Sequence, residues 1–326
     1  MNNNKLPSHI AHIRGTEPGP RVVVFGGTHG DETTGVLVVQ QILRALHLDS
    51  EIPSGFSVSP LIKGDLFLGI GNPGAVTADT RSVSGVRDLN RCFHESFFSN
   101  QEAMQLPDQQ RAFELKDLLA SADYFFDLHS VSTKETIPFV GLTTFSKGHA
   151  EICSHIPVHH ILDVSTILGR DVGLPPEVKL EQTPTTCSWV NRHGGIGLCY
   201  EMGYQKDETS VPGALEVLVN LLKQVGIVDS SFHETLSLDS NKEKLVIPNQ
   251  QVYRLVHCER NKFKNFSYTD PRYAKSFTPV KAGELIGCYD DGEEIRVSTN
   301  GLLAFPAGPQ TLNINQSLFY LAIPID

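Results

Sequence analysis

The sequence has six cysteines but no Cys-x-x-Cys pair. Cys92, Cys153, Cys187, Cys199, Cys258 and Cys288 are scattered along the chain and form no short framework. That pattern excludes a disulfide-stapled scaffold and suits reduced, mostly buried thiols in a cytoplasmic protein. Long apolar runs are also missing. The best stretch, Leu215 to Leu222, is broken by Glu216 and Asn220, so no membrane span is expected. The opening Met1-Asn2-Asn3-Asn4-Lys5-Leu6-Pro7 lacks the apolar segment of a secretory signal. Basic charge is in deficit, with 27 Lys and Arg against 37 Asp and Glu and a formal net charge of −10. This excludes nucleic acid as a partner, because phosphate binding needs a concentrated basic face. A small anionic substrate is still allowed, since a few arginines in one cleft override the global charge locally.

What remains is an ordinary globular composition, 40% hydrophobic and 20% charged. A chain of 326 residues can bury a large core, and its length suggests two domains. Residues 1–20 read as a loose lead-in or a short edge strand. Val22 to Phe25 is a β-branched run ending at a glycine pair, the pattern of a buried strand. From Glu32 onward, Val36, Val39, Ile42, Leu43 and Leu46 recur at helical spacing. Phe56 to Pro60 and Asp65 to Ile70 read as strands, the second ending at the turn cluster Gly71-Asn72-Pro73-Gly74. Ala75 to Arg91 shows little periodicity and reads as a loop. Pro107-Asp108 opens a helix expected to turn Phe113, Leu118 and Leu119 inward. Strands are predicted at Tyr124 to Ser130, Ile137 to Leu142, His160 to Val164 and Ile196 to Met202, before an amphipathic helix from Pro212 to Val225.

This alternation predicts an α/β domain over residues 1–229 with a largely parallel or mixed sheet. The composition then changes. Ser230 to Lys244 is polar and reads as a linker. Short β-type runs follow at Lys244 to Ile247, Val252 to His257, Glu284 to Tyr289, Glu294 to Val297 and Leu318 to Ile323. They predict a smaller, mainly β domain over residues 230–326.

Between the first strand and its helix stand His29 and Glu32, three residues apart. On a helical turn, three steps of about 100° return two side chains to within about 60° of each other. A loop histidine and a helix-start glutamate favoured by the dipole would give the same spacing. The run Tyr124-Phe125-Phe126-Asp127-Leu128-His129-Ser130 decides between these readings. Residues two apart on a strand share a face, so Asp127 and His129 point the same way, at the carboxyl edge where α/β sheets bind ligands. His29, Glu32 and His129 together supply three ligands and leave a fourth position open, the donor set of a hydrolytic zinc site. Asp127 is either an outer acceptor for a ligand histidine or a buried strand polar group.

Four stretches resemble one known family. They are Phe25-Gly26-Gly27-Thr28-His29-Gly30-Asp31-Glu32-Thr33-Thr34-Gly35-Val36, Asp88-Leu89-Asn90-Arg91 followed by Cys92-Phe93, Phe126-Asp127-Leu128-His129, and Tyr200-Glu201-Met202-Gly203. In this order they resemble the succinylglutamate desuccinylase/aspartoacylase family over most of residues 21–227. The resemblance implies a zinc carboxypeptidase-like fold, a mixed sheet flanked by helices, with a smaller mainly β C-terminal domain. It implies one Zn²⁺ per chain on His29, Glu32 and His129, and hydrolysis of an N-acyl amino acid or related compound. Glu201 is implied as the base that activates water and then protonates the leaving amine, a role that suits a carboxylate closing an apolar strand. Asn90 and Arg91 match a clamp for a substrate carboxylate. Arg81 falls where the family keeps an arginine that polarises the scissile carbonyl, with Arg87 as a competitor because the loop to Asp88 is longer than in aspartoacylases. Asp88 reads as a brace for that loop.

One departure bears on the substrate. Aspartoacylases carry an arginine within a Thr-Thr-Arg-Ser run, where this chain reads Thr185-Thr186-Cys187-Ser188. The chain is therefore not expected to be an efficient aspartoacylase unless Arg192, five residues on, meets the second carboxylate. Two other readings stand beside the deacylase. One is a carboxypeptidase-like metallopeptidase acting on short peptides. The other is a non-catalytic zinc- or ligand-binding protein on the same scaffold, against which Glu201 argues. The expected partner is a small anionic substrate, and the oligomeric state is open, a homo-oligomer included.

Overall fold

A computed structural model of the chain describes residues 6–46, 48, 61–85, 87–99, 105–134, 136–165, 184–236, 247–262, 265–307 and 317–325. The strands of its large sheet are β1 (Ile10–Arg14), β2 (Glu17–Gly26), β3 (Lys63–Ile70), β4 (Tyr124–Val131), β5 (Phe139–Leu142), β6 (His160–Asp163), β7 (Ile196–Tyr204), β8 (Gln251–Arg260), β10 (Thr278–Val280), β13 (Gly301–Ala304) and β14 (Ser317–Pro324). A small second sheet is made of β9 (Phe266–Tyr268), β11 (Leu285–Tyr289) and β12 (Glu294–Arg296). The large sheet runs in the order β1-β3-β2-β4-β7-β5-β6-β8-β14-β13-β10. Its centre, β3-β2-β4-β7, is parallel, while β5 joins β7 antiparallel. The sheet is therefore mixed, and helices flank it as expected.

Val22, Val23, Val24 and Phe25 of β2 are fully buried on both faces. That is why this strand has no polar alternation, as parallel strands under two helical layers require. One apolar cluster packs Ile42, Val38 and Val39 of the helix Thr33–Ala45 against Leu215, Leu218 and Leu222 of the helix Val211–Gln224. The opposite face carries Val23, Phe25 and Phe125 with Leu115 and Leu119 of the helix Pro107–Ala120 and with Trp189. A further cluster joins Phe139 and Leu162 to Leu255, Phe277 and Leu302. The sheet thus continues past residue 229, with β8 pairing in parallel with β6.

Several local expectations need correction. Gly71-Asn72-Pro73-Gly74 is a helix start: Asn72 caps the helix Pro73–Ala78, with Pro73 in its first turn. The Ala75 to Arg91 stretch therefore holds helix at one end and, at the other, a 3₁₀ turn over Leu89–Arg91. Phe113 is half-buried at 6.2 Å from the Phe98 ring, and Leu115 takes the inward position expected of it. Leu46 caps the first helix and is not part of it. The linker begins as a short helix, Ser231–Thr235, whose Phe232 is buried in the main core. The lead-in resolves into the edge strand β1, and β9, β10 and β13 were not anticipated. The runs Phe56 to Pro60 and Lys244 to Ile247 lie outside the described residues, apart from Ile247.

Candidate active site

Strands β2, β4 and β7 run parallel, so their carboxyl ends share one edge of the sheet. The chain leaves β2 through Gly27, at φ +67°, in the left-handed region where glycine carries no Cβ penalty. It then passes so close to the Pro73–Ala78 helix that a Cβ at Gly30 would collide with the Ala75 carbonyl. His29 and Glu32 sit in this tight turn, immediately before the helix at Thr33. In the β4–β7 ladder His129 pairs with Glu201, and Asp127 with Cys199. Directly paired residues lie about 4.8 Å apart on the same face, so the register itself sets a ligand-type histidine beside the carboxylate expected to be the base.

Glu32 lies between the two imidazoles. Its Oε1 is 2.6 Å from His29 Nδ1 and its Oε2 is 2.8 Å from His129 Nδ1, while the Ser130 N–H also donates to Oε2 at 3.0 Å. Each ring presents its other nitrogen to a carboxylate. His129 Nε2 is 3.1 Å from Asp127 Oδ2, and His29 Nε2 is 3.5 Å from Asp88 Oδ1. Neither pair has hydrogen-bond geometry here, but the carboxylates stand where partners that orient ligand histidines are found. Asp127, fully buried, also accepts hydrogen bonds from the Thr28 and Thr186 hydroxyls, each at 2.6 Å. This arrangement fits the outer-acceptor reading of Asp127.

Burial opposes the ionisation of Glu32, but the imidazoles of His29 and His129 outweigh it and hold the carboxyl well below the usual range. Burial likewise disfavours charge on His129, and Asp127 and Glu32 reverse it, raising its pKa well above the ordinary histidine value. Glu201 behaves in the opposite way. Burial pushes its carboxyl up to about 7, Glu32 adds to the rise, and His129 and His29 oppose it. Among the described residues its Oε2 is buried without a hydrogen-bond partner, and its Oε1 accepts weakly from the Cys199 thiol at 3.5 Å.

The site fits a divalent cation on two grounds. Two imidazoles and a carboxylate converge through His29, Glu32 and His129, the N₂O donor set that zinc accepts. Four carboxyl groups (Glu32, Asp88, Asp127 and Glu201) also outnumber the cationic groups among them, which in the described residues are Arg81, Arg91 and His129. A dication would offset that excess of negative charge.

A cavity of about 520 Å³ opens over this cluster. His29, Glu32, His129, Glu201, Arg81, Asn90 and Arg91 all line it. Arg81 Nε bonds Asp88 Oδ2 at 3.0 Å and its Nη1 is 3.8 Å from Glu32 Oε1. Arg87 instead lies over the Phe97 ring, 4.5 Å from its centroid, and does not line the cavity. The Thr186 N–H donates to Asn90 Oδ1 at 2.9 Å, which leaves the Asn90 amide N–H groups for another acceptor.

Arg192 is not brought to the cavity. Its Nη2 donates to the Phe93 carbonyl at 2.9 Å, its Nε is 3.6 Å from Glu95 Oε1, and its guanidinium lies over Trp189. Cys187 does line the cavity. Sequence reasoning missed the opposite wall altogether. Phe139 and Val164 meet Phe305, Pro306 and Tyr320 from the C-terminal part there, with the Phe139 and Phe305 rings 5.5 Å apart. Phe305 holds φ 50°, a left-handed conformation uncommon for an aromatic residue.

The comparisons with known proteins agree with this geometry. The family model for the succinylglutamate desuccinylase/aspartoacylase catalytic domain matches residues 18–206, more than half of the chain. The chain belongs to this family. Human N-acyl-aromatic-L-amino acid amidohydrolase (carboxylate-forming) is 29% identical over 152 residues, 44% of this chain and 44% of that protein. Mouse aspartoacylase is 34% identical over 125 residues, 36% of each chain. The matched stretches thus span less than half the length of these two relatives. The crystal structure of a succinylglutamate desuccinylase/aspartoacylase from Rhodobacter sphaeroides superposes with a TM-score of 0.66 at 18% identity, covering 97% of this chain and 89% of that one. That likeness concerns the fold. Among the described residues, no helix of this family member is long and apolar enough to cross a membrane.

Proposed function

We propose that the chain is a zinc-dependent hydrolase that cleaves the amide bond of an N-acyl amino acid. The observation that carries this reading is the facing pair in one cavity, the buried His29–Glu32–His129 cluster and the partnerless oxygen of Glu201. A Zn²⁺ held by His29, Glu32 and His129 would supply Lewis acidity and water of lowered pKa. The rest is the work of the chain itself. Asn90 and Arg91 hold the substrate carboxylate, arginine through its planar fork. Glu201 takes a proton from water as the new C–O bond forms. Arg81 faces the negative charge that develops on the carbonyl oxygen. When the C–N bond breaks, Glu201 returns the proton to the leaving nitrogen, so the products are a carboxylic acid and a free amine. The test is a panel of N-acyl amino acids and short peptides offered to zinc-loaded protein, with product analysis and a chelator control. Turnover of peptides alone would overturn the deacylase reading.

The wall opposite the cluster narrows the substrate. Among the described residues, Arg81 and Arg91 are the only arginines or lysines lining the cavity, and Phe139, Val164, Phe305 and Tyr320 give it apolar surface among neutral hydroxyls such as Thr133 and Thr136. This supports a substrate with one carboxylate and an apolar or aromatic group. An unpaired second carboxylate costs about 2–5 kcal/mol in comparable sites, roughly 30-fold or more in binding. N-acetylaspartate is therefore expected to react at least about 30-fold less efficiently, by kcat/KM, than an N-acetyl amino acid with an apolar side chain. Arg192→Ala is expected to leave that ratio unchanged, because Arg192 points elsewhere. A preference for N-acetylaspartate that Arg192→Ala abolishes would overturn both statements.

The acid limb of kcat/KM follows from Glu201. A base works deprotonated, so activity rises with pH through its pKa. Burial sets that pKa at about 7, and a dication nearby can only lower it. The limb is expected at or below pH 7 and should be missing from the residual activity of Glu201→Gln. The same limb persisting in that variant would assign it to another group.

A further inference from the structure

Among the buried carboxylates, Asp108 stands apart from the site and is held by N–H donors. It sits in the first turn of the helix Pro107–Ala120 and is fully buried. Asn72 Nδ2 donates to its Oδ1 at 2.8 Å, the Val83 N–H to the same oxygen at 3.3 Å, and the Ser84 N–H to its Oδ2 at 3.0 Å. These donors come from the turn that opens the helix Pro73–Ala78 and from the loop that begins at the cavity residue Arg81. Asn72 also accepts from the Ala75 N–H and so caps the short helix on which the His29 turn rests through Gly30. Val83 and Ser84 belong to the loop that begins at Arg81 and ends at Asp88. Ser84 closes the far half of that loop, its hydroxyl donating to the Arg87 carbonyl at 3.2 Å.

We propose that Asp108 is a positioning residue that tethers the 81–88 loop to the helix beneath the metal-ligand turn, and thereby sets Arg81 and Asp88 over the reacting centre. A buried carboxylate needs most of its lone pairs met by donors. Here loop amides supply them. The loop gains two charge-assisted anchors near its middle, at Val83 and Ser84, where an exposed segment would otherwise explore many conformations. Arg81 needs that restraint. Half of its side chain is exposed, and among the described residues it is held by a hydrogen bond to Asp88, at the other end of the same loop, and by Glu32 at 3.8 Å. If the loop drifted, both members of the pair would drift with it. Asp88 would then no longer stand 3.5 Å from His29 Nε2.

The inference concerns how the proposed hydrolytic site is held, so it rests on that reading for its kinetic arm only. Asp108→Asn keeps the shape but sets an amide N–H₂ against one of the loop N–H groups. Outer-sphere partners of this kind typically cost 10–100-fold when altered, so kcat is expected to fall by about that factor with a smaller change in KM. In an Arg81→Ala background the same substitution is expected to cost clearly less than in the unaltered protein, because one of the two groups being positioned is already gone. A purely structural role for Asp108 would instead multiply the two losses, and that result would overturn the proposal. A second measurement needs neither a variant nor a substrate. In the unaltered protein the Val83 and Ser84 amides should be protected from hydrogen exchange despite lying in a surface loop. Unprotected amides would refute the tether even if the enzyme is active. An inactive protein with protected amides would count against the hydrolase reading alone, with the tether upheld.

Discussion

Glutamine at position 201 is expected to lower kcat by roughly 10²–10⁴, the range in which general acid–base groups act. The substitution preserves volume and hydrogen bonding but cannot accept a proton. Glu201 is well placed for the larger end of that range. Among the described residues its Oε2 has no hydrogen-bond partner, and burial pushes its carboxyl up to about 7 before a dication lowers it. Metal content should stay near that of the unaltered protein, because His29, Glu32 and His129 form their cluster without it. Activity and metal content are measured on the same preparation. Turnover at the unaltered rate would place the base elsewhere, and loss of metal would make Glu201 a ligand.

Removing the imidazole of His129 should have an even broader effect. His129→Ala is expected to lose metal and activity together, since two ligands remain of a set that needs three. It should also lower the stability of the metal-free protein. His129 lies 3.1 Å from Asp127 Oδ2 and 2.8 Å from Glu32 Oε2, so its loss strips the buried Asp127 of its nearest cation and leaves Glu32 with one of its two imidazoles. Leaving a buried charge unpaired typically costs about 3–5 kcal/mol. Bound zinc counted by elemental analysis and the thermal midpoint of the apo protein provide the two readouts. Stoichiometric zinc in the variant would end this ligand assignment, and an unchanged midpoint would mean that Asp127 does not depend on His129.

The spacing of His29 and Glu32, the period-2 placing of Asp127 and His129, and the apolar strand ending in Glu201 are local features, and a linear sequence displays them. The elements that carry them were legible for the same reason. The centres of β2, β4 and β7 are largely buried, so burial wrote a short apolar stretch into each, Val22 to Phe25, Tyr124 to Phe126 and Leu198 to Tyr200. Strands β9, β10 and β13, three or four residues each, are too short to show a period.

Orientation was harder to read. Arg192 is five residues beyond Cys187, and on a helix five steps of about 100° carry a side chain roughly 140° away. Thus Cys187 faces the cavity and Arg192 lies over Trp189. The preference for Arg81 over Arg87 likewise depended on where each guanidinium finds a partner, Asp88 for one and the Phe97 ring for the other.

By itself, then, the sequence determined the fold class, the ligand and base candidates and the strand ends that bear them, because these follow from periodicities of two and 3.6 residues. Only the tertiary structure decided the β4–β7 register that sets His129 beside Glu201, the tether from Asp108 to Val83 and Ser84, and the wall that Phe305 and Tyr320 build across from the metal ligands. Each of these joins residues far apart in the chain. Such contacts are selected by the packing of the whole sheet and its helices, a sum of many weak interactions that no local stretch of sequence contains.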